Sequence, residues 1–115
     1  MIKHFIGDAE RTLHLTPDMA VALEKAVGKP FPQIYESLPR NNFSLSDLCA
    51  IIHHGLIGAG MGHREAFDLV DDYVRPRPVM QNLPLAFDLL EQIWSGETVS
   101  DDVVDASGDD DEDAA

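Results

Sequence analysis

The densest group of chemically active residue types in this 115-residue sequence is the stretch HHGLIGAGMGHREA, residues 53–66. It has three glycines at alternate positions, Gly58, Gly60 and Gly62, with histidines on both sides. Glycine-rich loops can bind phosphate groups, and clustered histidines can bind metal ions. A third interpretation is a hinge between two helices, because glycine adopts backbone conformations that other residues avoid.

The spacing of the glycines does not match phosphate-binding loops. Dinucleotide binding requires G-x-G-x-x-G after a strand, whereas here the third glycine comes one residue early and His63 takes its place. A Walker loop ends in G-K-[ST], but this stretch ends in GHRE. The sequence therefore favours a hinge in which Gly58 and Gly60 end one helix and Gly62 opens the next.

The histidines and acidic pairs do not form a recognisable metal-binding or catalytic set. His53 and His54 are adjacent, so on a helix they point about 100° apart and cannot share one ion. There is no H-E-x-x-H motif, and Cys49 is the only cysteine. Asp71 and Asp72 are also adjacent, and no serine has a base at recognisable spacing. The sequence predicts no enzyme, with no catalytic residue, metal or cofactor.

The charge balance argues against further classes of function. The net charge is −13, from 8 basic and 21 acidic residues, and residues 101–115 have no basic residue. Nucleic acids and anionic lipids need a basic surface, so neither is an expected partner. No apolar run approaches the roughly 18 residues of a membrane span. With a single cysteine and no signal-peptide pattern at the N-terminus, we expect a cytoplasmic protein.

The elements that position the hinge are predicted from hydrophobic periodicity and capping residues. Segments 3–6 and 10–15, separated by Gly7 and Asp8, predict a β-hairpin. Five helices follow. The first extends from Thr16 and Pro17 to Gly28, the second covers 31–38, the third extends from Ser44 into the hinge, and the fourth covers 63–74. The last helix begins either at Pro78, with a kink at Pro84, or near Asn82.

Each helix has an apolar face defined by residue spacing, among them the two helices on either side of the hinge. On the helix after Ser44, this face consists of Leu45, Leu48, Cys49, Ile52 and Leu56. On the helix after the hinge, it consists of Ala66, Phe67, Val70 and Val74. We expect both faces to be buried.

The predicted fold class is α+β, with a short N-terminal β-hairpin followed by a small bundle of four to five helices. Residues 1–100 form one domain. Residues 101–115 are predicted to be a disordered acidic tail, because they have too few bulky apolar residues to offset the entropy of ordering.

Five short motifs follow one another along the domain: Leu23 and Glu24 with Gly28, Phe43 and Ser44 with Asp47, Gly55 to Gly60, Glu65 and Ala66, and Leu85 to Leu90. In this order and spacing, they resemble the small proteins encoded in the tail modules of gene transfer agents and related tailed phages. The resemblance covers about residues 5–96 and excludes the acidic tail.

That family is described both as tail assembly chaperones and as tail tube proteins. The chaperone description implies a cytoplasmic factor that binds the tape measure protein and helps the tail tube protein polymerise around it. The tube description implies a structural component of the finished virion. We expect the chaperone, because a tube subunit would need long β-strands and only two short ones are predicted. Homo-oligomerisation stays open.

A chaperone of this kind would receive a partner helix in an apolar groove. Four residues could line it: Ile57 and Met61 beside the hinge, and Phe87 and Trp94 on the last helix, for which core packing is the alternative. Met61 is the best surface position, because it lies between glycines and methionine adapts to varied partners. Two other classes stay open, an acidic regulatory protein that mimics nucleic acid and a small enzyme with a pocket around a histidine of shifted pKa.

Overall fold

The computed structural model describes residues 2–96, which form a two-stranded sheet followed by helices. The elements are β1 (Ile2–Ile6), β2 (Ala9–Leu13), α1 (Pro17–Val27), α2 (Phe31–Ser37), α3 (Leu45–Gly58), α4 (His63–Leu69), a π-helical turn (Val70–Val74) and α5 (Val79–Trp94). The predicted α+β class, a hairpin before a small helical bundle, is confirmed. The predicted disordered tail, residues 101–115, lies outside the described residues.

The hairpin is held in register by a two-residue loop and by one buried face. Strands β1 and β2 pair antiparallel, with Ile2 opposite Leu13 at the open end. Gly7 has a φ of 72°, whereas Asp8 has no positive φ, which is the pattern of a type II′ turn. The side chains of Ile2, Ile6 and Leu13 are buried, so this face of the sheet belongs to the core.

The backbone after β2 bonds to helices instead of to β1. The amide of His14 donates to the carbonyl of Gly55 in α3 over 2.9 Å. The amide of Leu15 donates to the side-chain oxygen of Gln92 in α5 over 3.0 Å. The strand predicted over residues 10–15 therefore ends two residues earlier, because these amides have partners elsewhere.

The helix ends follow the capping chemistry of the sequence. The hydroxyl of Thr16 accepts a hydrogen bond from the amide of Met19, and Gly28 ends α1 with a φ of 81°. At the start of α3, Ser44 and Asp47 form a reciprocal capping box. These local bonds satisfy amides and carbonyls that have no partner inside the helices.

Helix α3 is the centre of the core, and its buried face is wider than predicted. Its buried residues are Leu48, Cys49, Ile51, Ile52, Gly55 and Leu56. Neighbours on several sides, α1, α4, α5 and β2, cover it, which explains why Ile51 is buried as well. The prediction for Leu45 was wrong: its side chain is 41% exposed, because it is the first residue of the helix and extends beyond these neighbours.

The buried face of α4 differs from its prediction at one position. Ala66, Val70 and Val74 are buried as expected, but Phe67 is 54% exposed. Adjacent helical residues point about 100° apart, so Phe67 cannot share the direction of Ala66. Leu69 completes the buried face instead.

Helix α5 begins at Val79, so the earlier of its two predicted starts is correct. Pro84 consequently lies inside the helix, where it cannot donate a backbone hydrogen bond. The side chain of Asn82 is buried and donates to the carbonyl of Val74 over 2.9 Å, which links α5 to the π-helical turn.

Candidate functional site

The three glycines of the hinge have three different structural roles. Gly58 is the last residue of α3, and a Cβ there would overlap the carbonyl oxygen of His14. Gly60 has a φ of 111°, which supplies the sharp turn after the helix. Gly62 precedes α4 in an extended conformation, with a φ of −67° and open space around it. The stretch is a turn between helices combined with a close backbone approach.

The two candidate partner residues beside the hinge, Ile57 and Met61, are both partly buried and pack against the core. The amide of Met61 donates back to the carbonyl of Leu56 over 3.1 Å, which folds the hinge onto α3. Met61 is therefore not freely exposed, although it lies between two glycines. Neither Ile57 nor Met61 lines the apolar groove described below.

The other two candidates, Phe87 and Trp94, lie together on a stack of aromatic rings between α2 and α5. Tyr35 stacks on Trp94 with a centroid separation of 4.7 Å and on Phe87 at 5.3 Å. The hydroxyl of Tyr35 donates to a carboxylate oxygen of Glu91 over 2.6 Å, which raises the pKa of the tyrosine. Trp94 is 51% exposed, so one end of the stack faces solvent.

An apolar groove continues from this stack along the two helices. It has a volume of about 340 Å³ and is lined by Leu38, Pro39, Met80, Leu83, Pro84 and Phe87, which defines the α2–α5 groove. Its side chains are all apolar, and Met80 at its edge is 81% exposed. Because Phe87 belongs to both the stack and the groove, the two form one apolar strip.

Sequence reasoning had identified one groove residue, Phe87, and missed the other five. On α5, a signal was present: Met80, Leu83, Pro84 and Phe87 follow the i, i+3, i+4, i+7 spacing of one helix face. Leu38 is the C-cap residue of α2, and nothing in the local sequence shows that it packs beside α5.

A second pocket of about 320 Å³ lies between α3 and the segment formed by α4 and the π-helical turn. Its lining includes His53, His54, Cys49, Phe67, Asp71 and Arg75. Burial, and then the nearby His54 and His63, lower the pKa of His53 below its ordinary 6.5. The Nδ1 atom of His54 lies 2.7 Å from the carbonyl oxygen of Ala50, so this nitrogen carries the proton.

The second pocket has the shifted histidine that a small enzyme would need, but its cysteine is not an activated nucleophile. Burial raises the pKa of the Cys49 thiol, which favours the unreactive protonated form. The carboxylate of Asp71 is paired with Arg75 over 3.1 Å. Within residues 2–96, no group of three or more His, Cys, Asp or Glu side chains could hold a metal ion.

The lowered pKa of His53 predicts a pH-dependent stability. Since the folded state disfavours the charged ring, the unfolded chain binds the proton more readily below pH 6.5. The free energy of unfolding should therefore fall as the pH drops through 6.5 and should not depend on this group well above that pH. We expect His53→Gln to reduce the difference in unfolding free energy between pH 7.5 and pH 5.5, measured by urea denaturation. An equal difference in both proteins would contradict this cause.

A comparison with protein families identifies the family to which this fold belongs. A family model described as phage tail tube protein, GTA-gp10, matches residues 1–96, from the hairpin through the end of α5. The chain belongs to this family. The resemblance predicted from the five motifs is thereby confirmed. No curated protein and no solved structure matches the chain.

Membership in the tail tube family indicates a protein of a phage or gene transfer agent tail that interacts with other tail proteins. It is consistent with a place in the virion or an origin in the host cytoplasm. Between residues 2 and 96, no helix is long and apolar enough to cross a membrane. The family description names the tail tube, so it supports a structural tube component at least as well as a chaperone.

Proposed function

We propose that this protein acts in tail tube assembly as a chaperone that binds an apolar helix of another tail protein in the α2–α5 groove. The observation that carries the proposal is the open apolar strip, with Met80 81% and Trp94 51% exposed. Contiguous exposed apolar surface is characteristic of sites that bind other proteins. The tape measure protein is the partner that the family resemblance implies.

The groove has the shape that helix binding requires. One wall is provided by α5 and the other by Leu38 and Pro39, which directly follow α2, and the lining side chains are apolar. An amphipathic helix can lay its apolar face into such a groove, with anchors repeated every three or four residues. The half-exposed Trp94 extends the contact surface, and exposed tryptophans often provide much of the energy of an interface.

The second candidate function is a structural component of the tail tube, which the family description favours. Within residues 2–96, however, the sheet has two strands of five residues each. A ring that continues one sheet from subunit to subunit would need longer strand edges. This small sheet is the reason that we place the chaperone first.

We also propose that the protein binds its partner without catalytic turnover. The second pocket combines a protonated Cys49 thiol with an Asp71 carboxylate that is already paired, and neither is prepared for nucleophilic attack. The groove itself has no polar side chain.

The two candidate functions differ in where the protein is found. In cells that express the protein with the tape measure protein of its particle, the chaperone should co-purify with the tape measure protein. Quantitative mass spectrometry of finished particles should then detect far less than one copy per tube subunit. A stoichiometric amount in particles, without a tape measure complex in the cytoplasm, would instead establish the tube component.

A further inference from the structure

The aromatic stack and the α2–α5 groove together follow the whole length of α5. Trp94, the last residue of α5, stacks with Phe31 at the start of α2, with 6.5 Å between their ring centroids. At the other end, Met80 lines the groove together with Leu38 and Pro39, which directly follow α2. The apolar strip therefore ends at the point where the chain leaves α5.

The chain leaves α5 in a direction that differs from the helix axis. Gly96 has a φ of 80°, and a left-handed glycine just after a helix ends it and turns the backbone away from the axis. Residues 97–104 can span up to roughly 28 Å, whereas the 16 residues of α5 cover about 24 Å. This length is sufficient to reach the Met80 end of the strip.

The C-terminal segment, residues 97–115, has three larger apolar side chains, and all of them lie within this reach: Val99, Val103 and Val104. Three valines cannot form a core, but a segment of such composition can become ordered on a surface that supplies the missing apolar contacts. The strip is such a surface, with the exposed Trp94 at one end and the exposed Met80 at the other. Because the segment is tethered beside the strip, its effective concentration is on the order of millimolar, and a weak contact is sufficient to cover it.

The charges of the segment and of the far end of the groove are complementary. Residues 101–115 contain eight acidic residues and no basic one. The two parts of the chain at the Met80 end of the groove, residues 38–42 and 75–80, contain three arginines and no acidic residue. One of these arginines, Arg40, is exposed and has no ion pair within residues 2–96. An acidic segment that follows the groove to this end would meet its guanidinium group.

We propose that the C-terminal segment binds in the α2–α5 groove of its own chain, with the three valines against the apolar strip and the acidic residues beside Arg40. The segment is an intramolecular competitor, and a partner helix gains access to the groove only by displacing it. Such competition suppresses weak apolar contacts, because a partner must bind more tightly than the tethered segment does. The inference concerns the free protein, so it does not depend on which tail protein is the partner.

The fluorescence of Trp94, the only tryptophan of the chain, tests this contact in the full-length protein. Val103→Ser combined with Val104→Ser removes apolar contacts at positions far from the tryptophan in sequence. We expect the emission maximum to shift to longer wavelength and quenching by acrylamide to increase, because the ring is exposed to more water once the segment leaves the strip. Ala114→Ser combined with Ala115→Ser is the matched control, since these residues lie beyond those proposed to contact the strip, and it should change neither property.

Charge reversal tests the contact with Arg40. Arg40→Glu should produce the same shift in emission, because it places a carboxylate beside the acidic residues of the segment. Adding Asp109→Lys, Asp110→Lys and Asp111→Lys should restore the emission maximum of the unaltered protein, which a purely structural role of Arg40 would not allow. Lys25→Glu is the matched control, because Lys25 is exposed on α1 and does not line the groove.

Three results would be decisive. If either the double serine variant at 103 and 104 or Arg40→Glu leaves the fluorescence of Trp94 unchanged, this inference is refuted while the proposed function stands. If the emission maximum depends on protein concentration instead, a second copy covers the strip and the inference is also refuted. Failure to co-purify with the tape measure protein would overturn the proposed function alone.

Discussion

Replacing Gly58 with alanine should destabilise the protein by about 3 kcal/mol, at the upper end of the usual cost of overpacking. The new Cβ would overlap the carbonyl oxygen of His14, which is backbone and cannot rotate away. The amide of the same His14 donates to Gly55 over 2.9 Å, so moving the two segments apart would also strain this hydrogen bond. Urea denaturation followed by circular dichroism would measure the change.

The neighbouring glycines provide graded controls for this prediction. Alanine at Gly60 should cost about 1 kcal/mol, because a φ of 111° is unfavourable for any residue with a Cβ. Alanine at Gly62 should cost less than about 1 kcal/mol. An added Cβ would have no atom within 4 Å apart from its chain neighbours, so only a helix-capping preference is lost. Equal effects at Gly58 and Gly62 would show that the close approach to His14 does not constrain the fold.

Replacing Met80 with lysine should weaken partner binding by about 2 kcal/mol, or roughly thirtyfold, without unfolding the protein. Two effects contribute to this loss of affinity. The methionine side chain is no longer buried in the complex, and the ammonium group of lysine would lie against an apolar partner. Because Met80 is 81% exposed in the free protein, the melting temperature should hardly change. Peptide titration monitored by Trp94 fluorescence would measure the affinity.

Val21→Lys is the matched control for this substitution. Val21 is also an apolar helical residue, 51% exposed, but it lies on α1 and does not line the groove. Its replacement should leave the affinity unchanged. If both variants bind equally well, the groove is not the binding surface. Met61 is a poorer position for this test, because it is partly buried and a charge there would also disturb the core.

The sequence alone determined the features that depend on residues close together in the chain. The hairpin loop at Gly7, the cap at Thr16 and the box formed by Ser44 and Asp47 each need partners no more than a few positions away. Such bonds can be predicted from residue types and spacing, because the local backbone already places the groups within reach. The ordered motifs also identified the family, since their spacing extends over nearly the whole domain.

Only the tertiary structure decided which faces are buried and where the candidate site lies. Phe67 has helical spacing like its buried neighbours, yet it is 54% exposed at the edge of the second pocket. The α2–α5 groove joins Leu38 to Met80, and Gly58 meets His14, across long separations in sequence. These contacts depend on how helices and strands pack together, and periodicity within one element carries no information about which element will lie against it.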